Sequence, residues 1–308
     1  MIFHIDPDYF EQLTPSERSE LYSNIIAYGH YVDCDETVRD EFYHNVDKCG
    51  SKKQREMIKK DPSLKLNKQT RQYLTLMTAA SFSPQQLDLL IRKPARLMVE
   101  NKVNEGPVYR SMIGTYASGD KTYNNPFKKL HQALKDGMLD FENGGGCSAY
   151  DQQMRSLDEN EYKEVAKYKI CMLADRDTDA ENKFDIDKNP LFEACCDKKY
   201  DAMTAEDVYT LDFPKYIWHM WYKRAIENYF PDSQFEDIHA DLSTMPTTPT
   251  DRNYKKLGDM QGYHKNQLPK LAEKMSYSMY EDGLKHFYPN GKDMSELQLF
   301  LLKLVKII

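Results

Sequence analysis

The 308 residues contain no apolar run near the ~20 side chains needed to cross a bilayer, so no membrane span is expected. The opening MIFHIDPDYF also lacks the basic and then apolar stretches of an export signal, and a cytoplasmic protein is the expectation. Cysteine is sparse and poorly spaced for metal or disulfide work. Cys34, Cys49, Cys147, Cys171, Cys195 and Cys196 form no C-x-x-C pair, which predicts reduced thiols. No G-x-x-x-x-G-K-[ST] loop occurs, so this chain carries no P-loop ATPase, and no H-E-x-x-H or paired-histidine spacing suggests a zinc site. Positive charge is not in excess either. The net charge of −7 argues against a protein that coats nucleic acid indiscriminately, because phosphate binding is driven by Lys and Arg releasing counterions. A local basic groove is compatible with it. Lys52, Lys53, Arg55, Lys59, Lys60, Lys65 and Lys68 form a run that reads either as a nucleic-acid contact or as a solvated helical face.

What is present suffices for one large core or two ordinary domains, at 40% hydrophobic and 30% charged residues. Residues 1–94 read as a helical leader domain. Thr14-Pro15-Ser16-Glu17 supplies an N-cap, a first-turn proline and a capping-box acid, and Ser83-Pro84 repeats the start signal before a helix that Pro94 closes. After Pro94 short apolar runs alternate with helical segments. ARLMVE, MLDF and KICMLADRD read as buried strands, with DVYTLDF or YIWHMW as a fourth, and that alternation predicts a parallel α/β sheet over residues 95–232. Residues 233–308 return to helix, apart from a polar stretch STMPTTPTDRN that reads as a loop. The last segment, LQLFLLKLVKII, is apolar around most of its circumference. It should therefore be buried against the leader domain or another subunit, and a homo-oligomer or partner interface is the expectation.

In an open parallel sheet the loops leaving the carboxyl ends of the strands converge, and ligands bind there. Glu100 stands at one such end, with Asp175 and Asp177 at another, 75 positions later. Carboxylates brought together in this way raise one another's pKa or recruit a cation, and hard oxygen ligands suit Mg²⁺ or Mn²⁺. An Asp-x-Asp is weak evidence by itself, since Asp6/Asp8, Asp33/Asp35 and Asp185/Asp187 share the spacing, and a solvated turn is the competing reading. The apolar run KICMLA before Asp175 distinguishes this pair. Gly144, Gly145 and Gly146 form a turn that could either cradle a phosphate on its N–H groups or pack tightly against another backbone. His219 reads as a core residue within an apolar run. The aromatics Trp218, Trp221, Tyr222, Tyr229 and Phe230 likewise read as core before they read as base-stacking groups.

The order LMVENKVNEG, FENGGG and MLADRDTD resembles the TOPRIM domain, and WYKRAIENYFP is similar to an element of TOPRIM nucleases related to the overcoming-lysogenization-defect proteins and to small TOPRIM effectors of anti-phage defence. The resemblance covers roughly residues 95–232. It implies a Rossmann-like parallel-sheet core, with Glu100 as catalytic acid and metal ligand and with Asp175 and Asp177 as the Mg²⁺-binding pair. Asp179 is an additional candidate ligand, Glu105 and Glu227 are candidates for a second ion, Lys223 is the basic group near the scissile phosphate, and Arg224 is a phosphate contact. One departure stands out: Asn104 occupies the place where the family commonly has a second acid, with Glu105 next to it. The expected activity is metal-dependent hydrolysis of DNA or RNA, with a separate ABC-type ATPase as partner. Two readings compete with it. One is an inactive TOPRIM scaffold or regulatory subunit binding a partner protein or nucleic acid. The other, a strand-passing topoisomerase, needs a nucleophilic tyrosine and gate domains for which the chain is short.

Overall fold

A computed structural model describes residues 1–59, 61–119, 125–145, 152, 163–181, 183, 185–196, 205–211, 213, 215–246, 248–282, 284, 286–287 and 291–308. The strands fall on short segments rich in apolar side chains, continuous in ICMLA and alternating with polar residues in LDFEN. β4 (Ala95–Val99), β5 (Leu139–Asn143), β6 (Ile170–Ala174) and β7 (Ile217–Met220) form one sheet in the order β5-β4-β6-β7, every neighbouring pair parallel. Of the two segments offered for the fourth strand, YIWHMW supplies it, whereas DVYTLDF begins in the last two residues of a short helix, Ala205–Val208. All five residues of β6 and all four of β7 are buried, as expected of strands covered on both faces.

The leader is not purely helical. β1 (Ile2–His4), β2 (Tyr31–Asp33) and β3 (Leu76–Thr78) make a second parallel sheet in the order β2-β1-β3. Each strand is only three residues long, too short to show an alternation, while the helices between them carry strong local signals. Thr14 and Glu17 close a capping box on helix Pro15–Ala27, and Ser83 and Gln86 do the same for Pro84–Arg92. The stretch expected as a polar loop is also partly helical, since Thr248 caps a helix at Pro249–Tyr254.

Burial of the final helix, Glu296–Ile307, takes place within the chain. Leu297, Phe300, Leu301, Leu304 and Ile307 are fully buried, and the helix packs on β4, β6, β7 and helix Pro126–Lys135. An apolar surface all round is therefore explained by enclosure in the chain's own core, not by a dimer or partner interface. Phe300 lies against Tyr109, His219 and Trp221 at ring separations of 5.8, 5.4 and 5.0 Å. Residues 233–308 thus share one hydrophobic core with the four-stranded sheet instead of forming a separate region. Among the described residues no helix is long and apolar enough to cross a membrane.

Candidate active site

Because β4, β6 and β7 run parallel, their carboxyl ends deliver the residues that follow them to the same edge. Glu100 follows β4, Asp175 follows β6, and Glu227 lies in the one-turn helix Ile226–Tyr229 beyond β7. Glu105 comes in from the first turn of helix Lys102–Gly119, where Asn101 caps the start: its side chain accepts from the Val103 N–H at 3.0 Å.

These acids share one electrostatic neighbourhood. Glu105 is pushed up to about 7, first by burial and then by Glu100, with Glu227 adding to it. Asp175 is raised well above the ordinary carboxylate range by burial, followed by Glu227, Glu105 and Asp177. Glu227 is raised by burial too, and the charges of Glu100 and Asp177 act on it in the same direction. The charges of Glu100, Glu105, Asp175, Asp177 and Glu227 thus act on one another at this edge, where a parallel sheet gathers the ends of its strands.

The cation among them is one that no sequence pattern announced. Lys265 Nζ stands 4.0 Å from Glu100 Oε2 and 4.0 Å from Glu227 Oε1, and Glu227, Asp175, Glu100 and Glu105 together hold its ammonium strongly protonated. Tyr263, two residues earlier, is 1% exposed, and its hydroxyl has no hydrogen-bond partner. Burial and then Glu227, Asp175 and Glu105 raise its pKa, so the phenol stays neutral and able to donate. Glu227 Oε2 is likewise buried without a partner. Two orphaned oxygens beside these carboxylates are what a hard cation or an ordered water would satisfy, and oxygen donors are the chemistry that Mg²⁺ or Mn²⁺ takes. As they stand, no three His, Cys, Asp or Glu groups among the described residues are arranged to ligate one ion directly.

The loop after β6 is firmly held. Lys188, with a side chain 1% exposed, donates to the Asp175 carbonyl and, at 2.7 Å, to Asp177 Oδ2. The Arg224 carbonyl accepts from the N–H groups of Arg176 and Asp177, which ties this loop to the one after β7. Asp177 adopts φ 59°, a left-handed conformation that costs most side chains energy and that clusters at functional sites.

Several expected site residues lie elsewhere. Asp179 is exposed and paired with Lys183 at 2.7 Å, so it is not among the converging acids. Lys223 is turned away from them: its Nζ donates to the Asn228 carbonyl at 3.1 Å and lies 4.9 Å from the Tyr229 ring centroid. Burial lowers it to about 8, and the acids acting on it are Glu296 and Asp282. Arg224 contributes its backbone to the site, as described, and its charge acts on Asp179. The glycine turn is a packing turn. Gly144 N–H donates to Val99 O at 2.6 Å and Gly145 N–H to Glu100 O at 3.3 Å, so neither amide is aimed at a phosphate; Gly146 lies outside the described residues. Gly145 does need its freedom, at φ 70°.

The basic run occupies helix Lys52–Ile58 in the leader, with Lys52, Lys53 and Lys59 exposed. Arg55 folds back onto the end of the preceding helix, donating to Gly50 O at 2.7 Å, which gives it a capping role; Lys60 lies outside the described residues. His219 is fully buried against Trp221 and Phe300, with Nε2 3.3 Å from Glu296 Oε1. Glu296, which no motif flagged, accepts from Tyr229 and from the Tyr222 N–H. No family model, no curated protein and no solved structure matches the chain.

Proposed function

We propose that this chain is a TOPRIM-type nuclease that hydrolyses phosphodiester bonds in DNA or RNA with the help of Mg²⁺ or Mn²⁺, as an effector of anti-phage defence working with a separate ATPase. The observation that supports it most is the convergence of Glu100, Glu105, Asp175, Asp177 and Glu227 on the carboxyl edge of a parallel sheet, beside an orphaned Glu227 oxygen. Glu100, Asp175, Asp177 and Glu227 would hold the ion. A bound cation there would polarise a phosphoryl oxygen and lower the pKa of a water.

The chain's own groups supply the rest. Glu105, poised at about 7, can accept a proton near neutral pH, and Tyr109 donates to its Oε2 at 3.3 Å, which keeps the carboxyl oriented. Lys265 takes the role first assigned to Lys223: its half-exposed ammonium is the positive group nearest the acids, able to meet a phosphate oxygen and offset the repulsion of a polyanion. Lys188 keeps the Asp175 and Asp177 loop in place as substrate arrives.

The test uses purified protein and labelled DNA and RNA with Mg²⁺ or Mn²⁺. Cutting is expected, and Glu100→Gln and Asp175→Asn should each abolish it without changing the thermal unfolding profile. Unchanged cleavage in both variants would overturn the assignment. Lys265 itself favours a second reading, since an internal ammonium can balance the acids of a scaffold that has lost activity. Calorimetry separates the two, because such a scaffold takes up no Mn²⁺ near neutral pH.

A further inference from the structure

The turn that brings Lys265 to the acidic edge also carries Tyr263, and its build leaves that tyrosine little freedom. Gly262 adopts φ 82°, and a Cβ on it would stand 2.8 Å from the His239 carbonyl oxygen, so the position demands glycine. The Gln261 carbonyl accepts from the Asp241 N–H at 2.8 Å, and the His264 N–H donates to Gln267 Oε1 at 2.7 Å. The helix that follows, Leu268–Glu273, packs on Lys102–Gly119, the helix that bears Glu105. The Tyr263 ring meets Phe235 edge to face, with centroids 5.5 Å apart.

Held in this frame, the Tyr263 hydroxyl is enclosed and unpaired, while the charges that reach it are those of Glu227, Asp175 and Glu105. Buried phenols ordinarily find an acceptor, because an unpaired polar group in the interior costs free energy. Three tyrosines of this chain follow that rule: Tyr22 donates to Asp61, Tyr116 to Glu281 and Tyr229 to Glu296. Glu227 Oε2 is the complementary exception, a buried acceptor without a donor. An oxygen arriving together with a cation satisfies both, since the cation takes the carboxylate and the phenol donates to the oxygen.

We propose that Tyr263 is a further binding residue of the acidic edge, its hydroxyl donating to an oxygen that enters with the divalent cation, which rests on the reading of this edge as a metal site. That oxygen belongs either to a water or to a phosphate of the substrate. A neutral donor suits the place, because a second buried cation would compete with the metal for the same acids. One turn thus offers two kinds of contact: the half-exposed Lys265 ammonium meets charge arriving from solvent, and the enclosed phenol fixes a single oxygen within.

Tyr263→Phe keeps the ring and its packing on Phe235 and removes only the hydroxyl. In metal-free buffer it should unfold at a temperature no lower than the parent, because an unpaired buried hydroxyl has no bond to lose. Tyr116→Phe deletes a paired hydroxyl, so it should unfold at a lower temperature and leave Mn²⁺ binding unchanged. Calorimetry with Mn²⁺ alone reads a water as the acceptor; binding of short phosphorothioate DNA and RNA oligonucleotides in Mn²⁺ reads a phosphate oxygen. Tyr263→Phe should weaken one of these two by about fivefold, the worth of one neutral hydrogen bond. Equal affinity of parent and variant for both probes, or an equal loss in Tyr116→Phe, overturns the inference and leaves the metal site standing, whereas no Mn²⁺ uptake by the parent removes both. A metal-free unfolding temperature that falls in Tyr263→Phe also overturns it, as the sign of a partner within the chain.

Discussion

The two ends of the four-stranded sheet bury charge of opposite sign, and they treat it differently. At the carboxyl end Glu105, Asp175 and Glu227 crowd together, and the chain inserts Lys265 among them; at the amino end Lys129 and Lys169 are enclosed beside the Met1 amino group, which donates to Ile308. Loops explain the contrast. Carboxyl-end connections carry long excursions such as the one bearing Tyr263 and Lys265, which can reach back over the edge, while the amino end is shut by a second packed unit, the leader sheet.

The comparison assumes that both ends belong to one body. Phe300→Ala removes a fully buried ring packed between β7 and helix Lys102–Gly119. A loss of about 3–5 kcal/mol is expected, in a single cooperative transition. Two separated melting transitions, read by calorimetry, would break the comparison at its base.

A smaller effect sharpens what is particular to the acidic end. Glu105 and Glu296 are both raised from 4.5 to about 7, chiefly by burial, but only Glu105 has acidic neighbours. For a carboxyl raised on folding, the folded state holds the proton more tightly, so its contribution is full below the unfolded value and is lost as pH rises through about 7. For Glu296 that loss is about 3 kcal/mol between pH 4.5 and 7. Glu296→Gln should therefore gain stability relative to the parent as pH rises from 5 to 8, with or without Mn²⁺. Glu105→Gln should show the same trend only in the absence of metal. Equal metal dependence in the two series, measured by thermal melts, would show that the acidic neighbours do not matter.

The smallest effect concerns Lys265. Its side chain is about half exposed, so solvent screens the loss, and Lys265→Met should cost about 0.5–1 kcal/mol in metal-free buffer. Mn²⁺ should restore more stability to this variant than to the parent. A metal response the same in both would mean that Lys265 is not the internal counter-ion.

The parts of this molecule that could be read from sequence are those where local pattern and final environment coincide. β4, β6 and β7 are mostly apolar runs because both faces of the sheet are covered, and the capping boxes at Thr14 and Ser83 are fixed by four adjacent residues. The leader strands escaped because three residues carry no usable period, and the glycine turn stayed open between two readings because the sequence does not show that its amides are taken by the Val99 and Glu100 carbonyls. At the candidate site, Glu100, Asp175 and Asp177 could be placed at strand ends from the sequence. Lys265 could not, since nothing local marks a lysine 165 positions after Glu100 as its neighbour, and Lys223 was misjudged because a matching segment does not say which way a side chain turns.

The helix Glu296–Ile307 covers β4, β6 and β7, yet it is translated some 75 residues after the last of those strands. While the ribosome is still reading the intervening stretch, an apolar sheet face has nothing of its own to lie against. Nascent chains of this protein should accordingly be chaperone clients and prone to aggregation until that helix leaves the exit tunnel.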